Sequence, residues 1–153
     1  MSFHTNFNEW ESYSKKEGCP VCQKWPHPEG EVLLHDFPTS QLTTYKEACL
    51  RGECCLTLKP HAVEIFELNE KVLLDYMKEV QVCARVLKDV TKAIKINYEM
   101  HGNTIPHMHM HLFPRYKDDP FPGAPIDYRK TEPPVYKGNE FETFVELMKE
   151  KLK

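Results

Sequence analysis

Between Pro106 and Pro114 the chain reads PHMHMHLFP, with three imidazoles at strict two-residue spacing alternating with Met108, Met110 and Leu112. Side chains two apart on a strand point the same way, while neighbours point to opposite faces. His107, His109 and His111 therefore share one face and the apolar residues the other. A helix would scatter both sets around its circumference. The alternation predicts a half-buried strand over 107–113, entered at Pro106 and left at Pro114, so the rest of the chain has to supply a sheet and a cover for its apolar side.

A chain of 153 residues suits one domain with a real core. Asn6 to Glu17 reads as a short helix ending at Gly18, before the turn GCPVC and the loop KWPHPEG. Strands are expected near Glu31–His35, Gln41–Tyr45 and Cys54–Leu58. Asn69 is placed to cap a long helix reaching about Lys92, whose apolar positions Leu73, Leu74, Met77, Val80, Ala84, Leu87 and Val90 recur at three and four. Ile94–Glu99 pairs naturally with the histidine strand across a turn at His101–Asn103. The segment 117–138, with Pro120, Pro122, Pro125, Pro133 and Pro134, reads as an irregular arm. Asn139 and Glu142 have capping-box spacing ahead of a last helix. The expected fold is α+β, a mainly antiparallel five-stranded sheet with one long helix and one or more short ones. It forms one domain over 1–153, with a core at about 19–127 and a C-terminal arm and helix at 117–153.

The formal net charge is -3 and no Lys/Arg run stands out, which argues against partners such as a nucleic acid polymer or an anionic membrane. A small anion remains open, because a few local donors suffice to hold a phosphate. The N-terminus lacks a basic stretch followed by an apolar one, and no apolar run approaches membrane-spanning length; a cytoplasmic protein is expected. Of the six cysteines, Cys54, Cys55 and Cys83 fall in apolar patterns and read as buried free thiols, and Cys49 carries no signal. Cys19 and Cys22 differ, since C-x2-C on a Gly/Pro turn lets two thiolates reach one ion.

Three readings of the histidine strand are open. A three-His zinc site fails for the outer pair: four residues span roughly 13 Å along a strand, whereas two nitrogens on one zinc lie within roughly 4 Å. A solvent-facing polar strip is the second. The third is nucleophilic catalysis, in which one neutral imidazole attacks a phosphoryl centre and another stabilises the developing charge.

HMHMHLF resembles the His-φ-His-φ-His-φ-φ motif of the histidine triad (HIT) family of nucleotide hydrolases and transferases. Gly102-Asn103-Thr104-Ile105-Pro106, LKPHAVEIFEL, PRY and DDPFPG are similar to further family segments, and the likeness covers roughly residues 19–127. It implies that His109 is the nucleophile at the α-phosphorus of a nucleoside monophosphate ester, anhydride or phosphoramidate, forming a nucleotidyl-histidine that water hydrolyses. His111 would hydrogen-bond the phosphate, with Asn97, Asn103 and Thr104 as further substrate contacts. The Nδ1–H of His109 would be held by a backbone carbonyl, leaving Nε2 to attack. The substrate implied is a purine nucleotide derivative, and the chemical step needs no metal. Zinc-bearing members, a bacterial-type branch among them, further imply one structural zinc per chain on Cys19, Cys22, His61 and His107, and a homodimer.

Asn103 stands where the family usually has Gln, Pro60 separates Lys59 from His61, and the ribose contact falls ambiguously on Tyr45, Lys46 or Glu47. His4, His27, His35 and His101 have no evident partners and read as surface. A nucleotide-binding or sensing module with negligible turnover is the alternative to the enzyme.

Overall fold

The computed structural model describes residues 5–24, 30–127 and 134–153; His4 and His27 lie outside them. Five strands form one sheet: β1 (Glu31–Asp36), β2 (Ser40–Tyr45), β3 (Cys54–Leu58), β4 (Lys95–Glu99) and β5 (His109–Arg115). The order is β1-β2-β3-β5-β4, antiparallel at every step. The helices are α1 (Phe7–Tyr13), α2 (Glu70–Thr91) and α3 (Glu140–Lys151). This is the expected α+β architecture, and among the described residues no helix is long and apolar enough to cross a membrane.

The histidine strand lies inside the sheet. Its Leu112, His111, Met110 and His109 pair with Cys54, Cys55, Leu56 and Thr57 on one side, and His111 also faces Glu99 on the other. With two neighbours, its backbone has little freedom to shift register, and the period of two holds each imidazole to its face. Met108, Met110 and Leu112 are buried with Leu56 and Leu58 against Tyr76, Val80, Cys83, Ala84 and Leu87 of α2 and Phe141, Phe144 and Met148 of α3. The Tyr76 hydroxyl donates to Leu56 O at 2.8 Å, which satisfies that ring's polar tip within the apolar layer.

Several boundaries differ from expectation. β5 begins at His109 and runs through Pro114 to Arg115. Pro114 is tolerated because β3 begins at Cys54, opposite Leu112, so no strand lies beside Pro114 on that side. α1 stops at Tyr13, with Ser14 Oγ donating back to Glu11 O at 2.8 Å, so the chain reaches Gly18 through turns. In α2 the buried stripe passes through Cys83, as its apolar pattern predicts, and through Tyr76, which simple apolar counting omits. Leu74 and Met77, counted as core positions, remain 53% and 38% exposed.

Asn69 Oδ1 caps α2 by accepting from Val72 N at 3.0 Å. Asn139 precedes α3 without a side-chain cap; Glu142 is drawn instead to Lys46 Nζ, 2.8 Å away. The arm after β5 is irregular but partly buried, since Phe121 and Ile126 join Cys49, Leu50 and Phe113 in a second apolar cluster. That cluster lies on the histidine face of the sheet and walls off one side of it.

Candidate active site and metal site

A cavity of about 570 Å³ opens on the histidine face, lined by His109 and His111 of β5, the 101–105 loop, Glu53, Tyr45 and Ile126 among others. The alternation puts the His109 and His111 rings side by side, with centroids 5.1 Å apart and planes nearly perpendicular. His109 Nδ1 lies 2.7 Å from His107 O. A carbonyl only accepts, so Nδ1 carries the hydrogen and Nε2 is the nitrogen with a lone pair. Burial pushes the His109 imidazole below its usual value, opposed by the same carbonyl, so the ring is neutral near pH 7 and its lone pair available.

His111 stacks on Phe113, with ring centroids 5.6 Å apart and planes within 8°. Its Nδ1 is 3.6 Å from Glu53 Oε1. Glu53 precedes β3, so the pattern Glu53, Cys55, Thr57 extends the histidine face by one more residue. Its other oxygen accepts the Cys49 backbone N–H at 3.0 Å and the Cys49 thiol at 3.2 Å. Glu53 lies one residue before β3, outside the strand that the sequence predicts; the alternation, carried back one residue, is the signal that finds it.

Asn103 and Thr104 line the cavity. Asn97 does not: it pairs with Phe113, beyond the Glu99–His111 pair, and lines an adjoining hollow of about 940 Å³ with Lys95 and Arg115. Its Oδ1 accepts from Lys95 Nζ at 3.0 Å. Tyr45 and Glu47 reach the cavity, whereas Lys46 turns away to Glu142. His101, read as surface, lines both hollows, 3.1 Å from Glu99 Oε2; nothing local to its sequence signals this, because the loop must fold back over β5 to bring it there. His35 remains on β1, its ring 4.3 Å from that of Phe37.

His107 takes no part in this cavity. It is fully buried, with Nδ1 at 3.4 Å from Cys19 Sγ and 3.7 Å from Cys22 Sγ. His61 Nδ1 is 3.3 Å from Cys22 Sγ. The four ligand atoms lie within 4.8 Å of one another. A tetrahedral ion with bonds of about 2.0–2.3 Å sets its ligands about 3.6 Å apart, so the cluster is able to hold a metal ion with little movement. The outer atoms fit as well: His107 Nε2–H donates to Leu58 O at 2.6 Å and His61 Nε2–H to Ser14 O at 2.9 Å, which turns both Nδ1 lone pairs inward. Burial and the neighbouring Cys19 push the Cys22 thiol up to about 11, so an incoming cation must displace protons. All six cysteines are free.

The HIT domain family matches residues 31–118. Protein hit of Bacillus subtilis (strain 168) is 29% identical over 99 residues, which cover 61% of this chain and 63% of that protein's length, less than two thirds of it. A crystal structure of a histidine triad protein from Bradyrhizobium japonicum superposes with a TM-score of 0.72 at 28% identity, covering 82% of this chain and 92% of that one. A zinc-bound histidine triad family protein from Mycobacterium smegmatis shares the fold with a TM-score of 0.61 at 17% identity, covering 86% and 88% of the two chains.

Proposed function

This chain belongs to the HIT domain family, and on that premise we propose that it is a nucleotidyl hydrolase or transferase acting at the α-phosphate of purine nucleoside monophosphate derivatives: phosphoramidates, esters or dinucleoside polyphosphates. The observation that carries this reading is the His109 Nδ1–H···O=C bond to His107, which leaves Nε2 of a neutral, half-buried ring as the nucleophile. Nε2 attacks phosphorus and forms the N–P bond. The P–O or P–N bond to the leaving group breaks, its electron pair staying on that group, which then takes up a proton. Water attacks the nucleotidyl-imidazole in a second displacement and releases the monophosphate and His109.

His111, beside His109, donates to the phosphate oxygens, and Asn103 and Thr104 flank the phosphate or leaving group. Such a reaction depends on positioning and donors more than on acid-base machinery. Asn97, two cross-strand pairs beyond Glu99–His111, is assigned to the leaving group's far end rather than to the phosphate.

Cys19, Cys22, His61 and His107 would hold one zinc, in a closed four-ligand site of the structural kind; the zinc-bound neighbour supports that choice of metal. When bound it cross-links the turn at Cys19–Cys22 to the entrance of β5, and no chemical step uses it. Six free thiols fit a reducing compartment such as the cytoplasm.

A homodimer is proposed on a specific surface. β4 is a sheet edge, and Ile94, just before it, and Tyr98, within it, are 65% and 52% exposed. A second copy would pair that edge and cover the apolar strip.

The test is turnover and trapping. His109→Ala should lose at least about a thousandfold in turnover with AMP affinity little changed, because the covalent pathway disappears while the binding groups remain. His111→Ala should lose about a hundredfold, as one charge-stabilising donor. Alkaline quenching should trap a nucleoside monophosphate on the peptide containing His109. Wild-type protein that binds AMP and turns over none of these substrates would make the chain a binding module; an adduct on His107 or His111 would overturn the assignment of the nucleophile.

A further inference from the structure

The 102–105 loop has few means of its own to hold a position. Gly102 has φ +67, a conformation that glycine adopts without strain, and nothing in Gly102-Asn103-Thr104 is large enough to pack. Among the described residues, a bond crosses to it from far away in the chain: the Trp10 indole Nε1–H donates to Gly102 O at 3.0 Å, 92 residues apart in sequence.

Trp10 itself is well placed to act as an anchor. It lies in α1, stacked on Phe7 with ring centroids 5.9 Å apart, and α1 is tied down at its far end. The carbonyl of Ser14, the residue after the helix, accepts from His61 Nε2 at 2.9 Å. Cys19 N donates to Lys15 O at 2.9 Å. A Cβ on Gly18 would meet Ser12 O at 2.3 Å, so the turn closes tightly on the helix end. α1 is thus a short strut fixed to the cysteine turn and to His61, three residues past the end of β3, with its indole reaching the loop.

We propose that Trp10 is a positioning residue for the reaction: by holding Gly102 O it fixes Asn103 and Thr104 against the phosphate bound at His109 and His111. This rests on the reading of those two residues as phosphate or leaving-group contacts. The indole N–H donates to the loop's carbonyl, so it acts on the reaction through Asn103 and Thr104. Its effect is greatest where the loop's donors meet developing charge, so it acts on kcat more than on KM.

Trp10→Phe keeps an aromatic ring on Phe7 and removes the N–H. Its kcat should fall about fivefold, the equivalent of one ordinary hydrogen bond, with KM within twofold. Amide exchange at Gly102–Ile105 should quicken by a similar factor, while the amides of β3 and β5 keep their protection. In the wild type, the Trp10 indole N–H resonance should be slow to exchange and should shift on adding AMP.

Unchanged loop exchange in Trp10→Phe, or exchange that quickens across the whole sheet, would overturn the proposal. If that variant fails to fold, the wild-type measurement decides: an indole N–H that exchanges freely and ignores AMP overturns it. These readouts need no turnover, so failure of the hydrolase reading leaves the test intact, and a lost adduct at His109 says nothing about loop protection.

Discussion

Glu53 separates a structural from a chemical role within one side chain. Its side chain is 4% exposed. Oε2 takes the Cys49 N–H at 3.0 Å and the thiol at 3.2 Å, while Oε1 lies 3.6 Å from His111 Nδ1. Glu53→Ala strips the acceptor from a buried amide, which costs about 1–3 kcal/mol. Taking about 2 kcal/mol as the centre, a domain of this length should lose about 4–8 °C in melting temperature.

Glu53→Gln keeps a carbonyl oxygen for Cys49 and should lose less than about 1 kcal/mol. It also replaces the carboxylate beside His111 with an amide that cannot accept at both ends. Turnover should therefore fall about tenfold, the lower end of what losing a group that orients a working imidazole costs. The assay is thermal unfolding and steady-state turnover of wild type and both variants at equal metal loading, since variable occupancy would blur a two-state comparison. A melting point of Glu53→Ala within about one degree of wild type would refute the anchoring of Cys49. Wild-type turnover in Glu53→Gln would refute the coupling to His111.

Protein purified without added metal should contain about one zinc per chain by elemental analysis, and Cys22→Ser should lose it; a metal-free, fully folded wild type would exclude the structural ion. Light scattering at micromolar concentration should give twice the chain mass, and Tyr98→Glu with Ile94→Lys should halve it by charging the strip beside β4; a wild-type monomer mass would refute the interface. Asp119 pairs through both oxygens with Arg115 at 2.7 and 2.8 Å, and that guanidinium holds its carboxyl down at about 2 against a usual 3.8. A lowered folded value means stability present above pH ~4 and lost as pH falls towards ~2, at most about 2 kcal/mol. Denaturant melts should show that loss in wild type and not in Asp119→Asn.

The parts of the site legible in the chain are those whose spacing is itself a geometry. Period two in HMHMHLF puts His109 and His111 on one face in any strand. C-x2-C brings Cys19 and Cys22 to one point in any tight turn. Asn69 caps α2 because the cap bond spans only three residues. The boundaries that shifted did so for non-local reasons: Pro114 stays in β5 because β3 begins only at Cys54, opposite Leu112, and leaves that side of Pro114 unpaired by β3, and Glu142 leaves its cap for Lys46, 96 residues away in sequence.

Local order along the chain thus determined the strand, its two faces, the cysteine turn and the identity of the imidazoles, since each depends on backbone periods a few residues long. Only the tertiary structure could bring Glu53 under His111, His101 to the cavity rim, Asn97 into the neighbouring hollow and Trp10 against Gly102. Each of those meetings depends on strand order, on the register between β3, β5 and β4, and on the chain folding back from α1. Pairing across such distances is chosen by the burial of the whole core, which no short stretch of sequence contains.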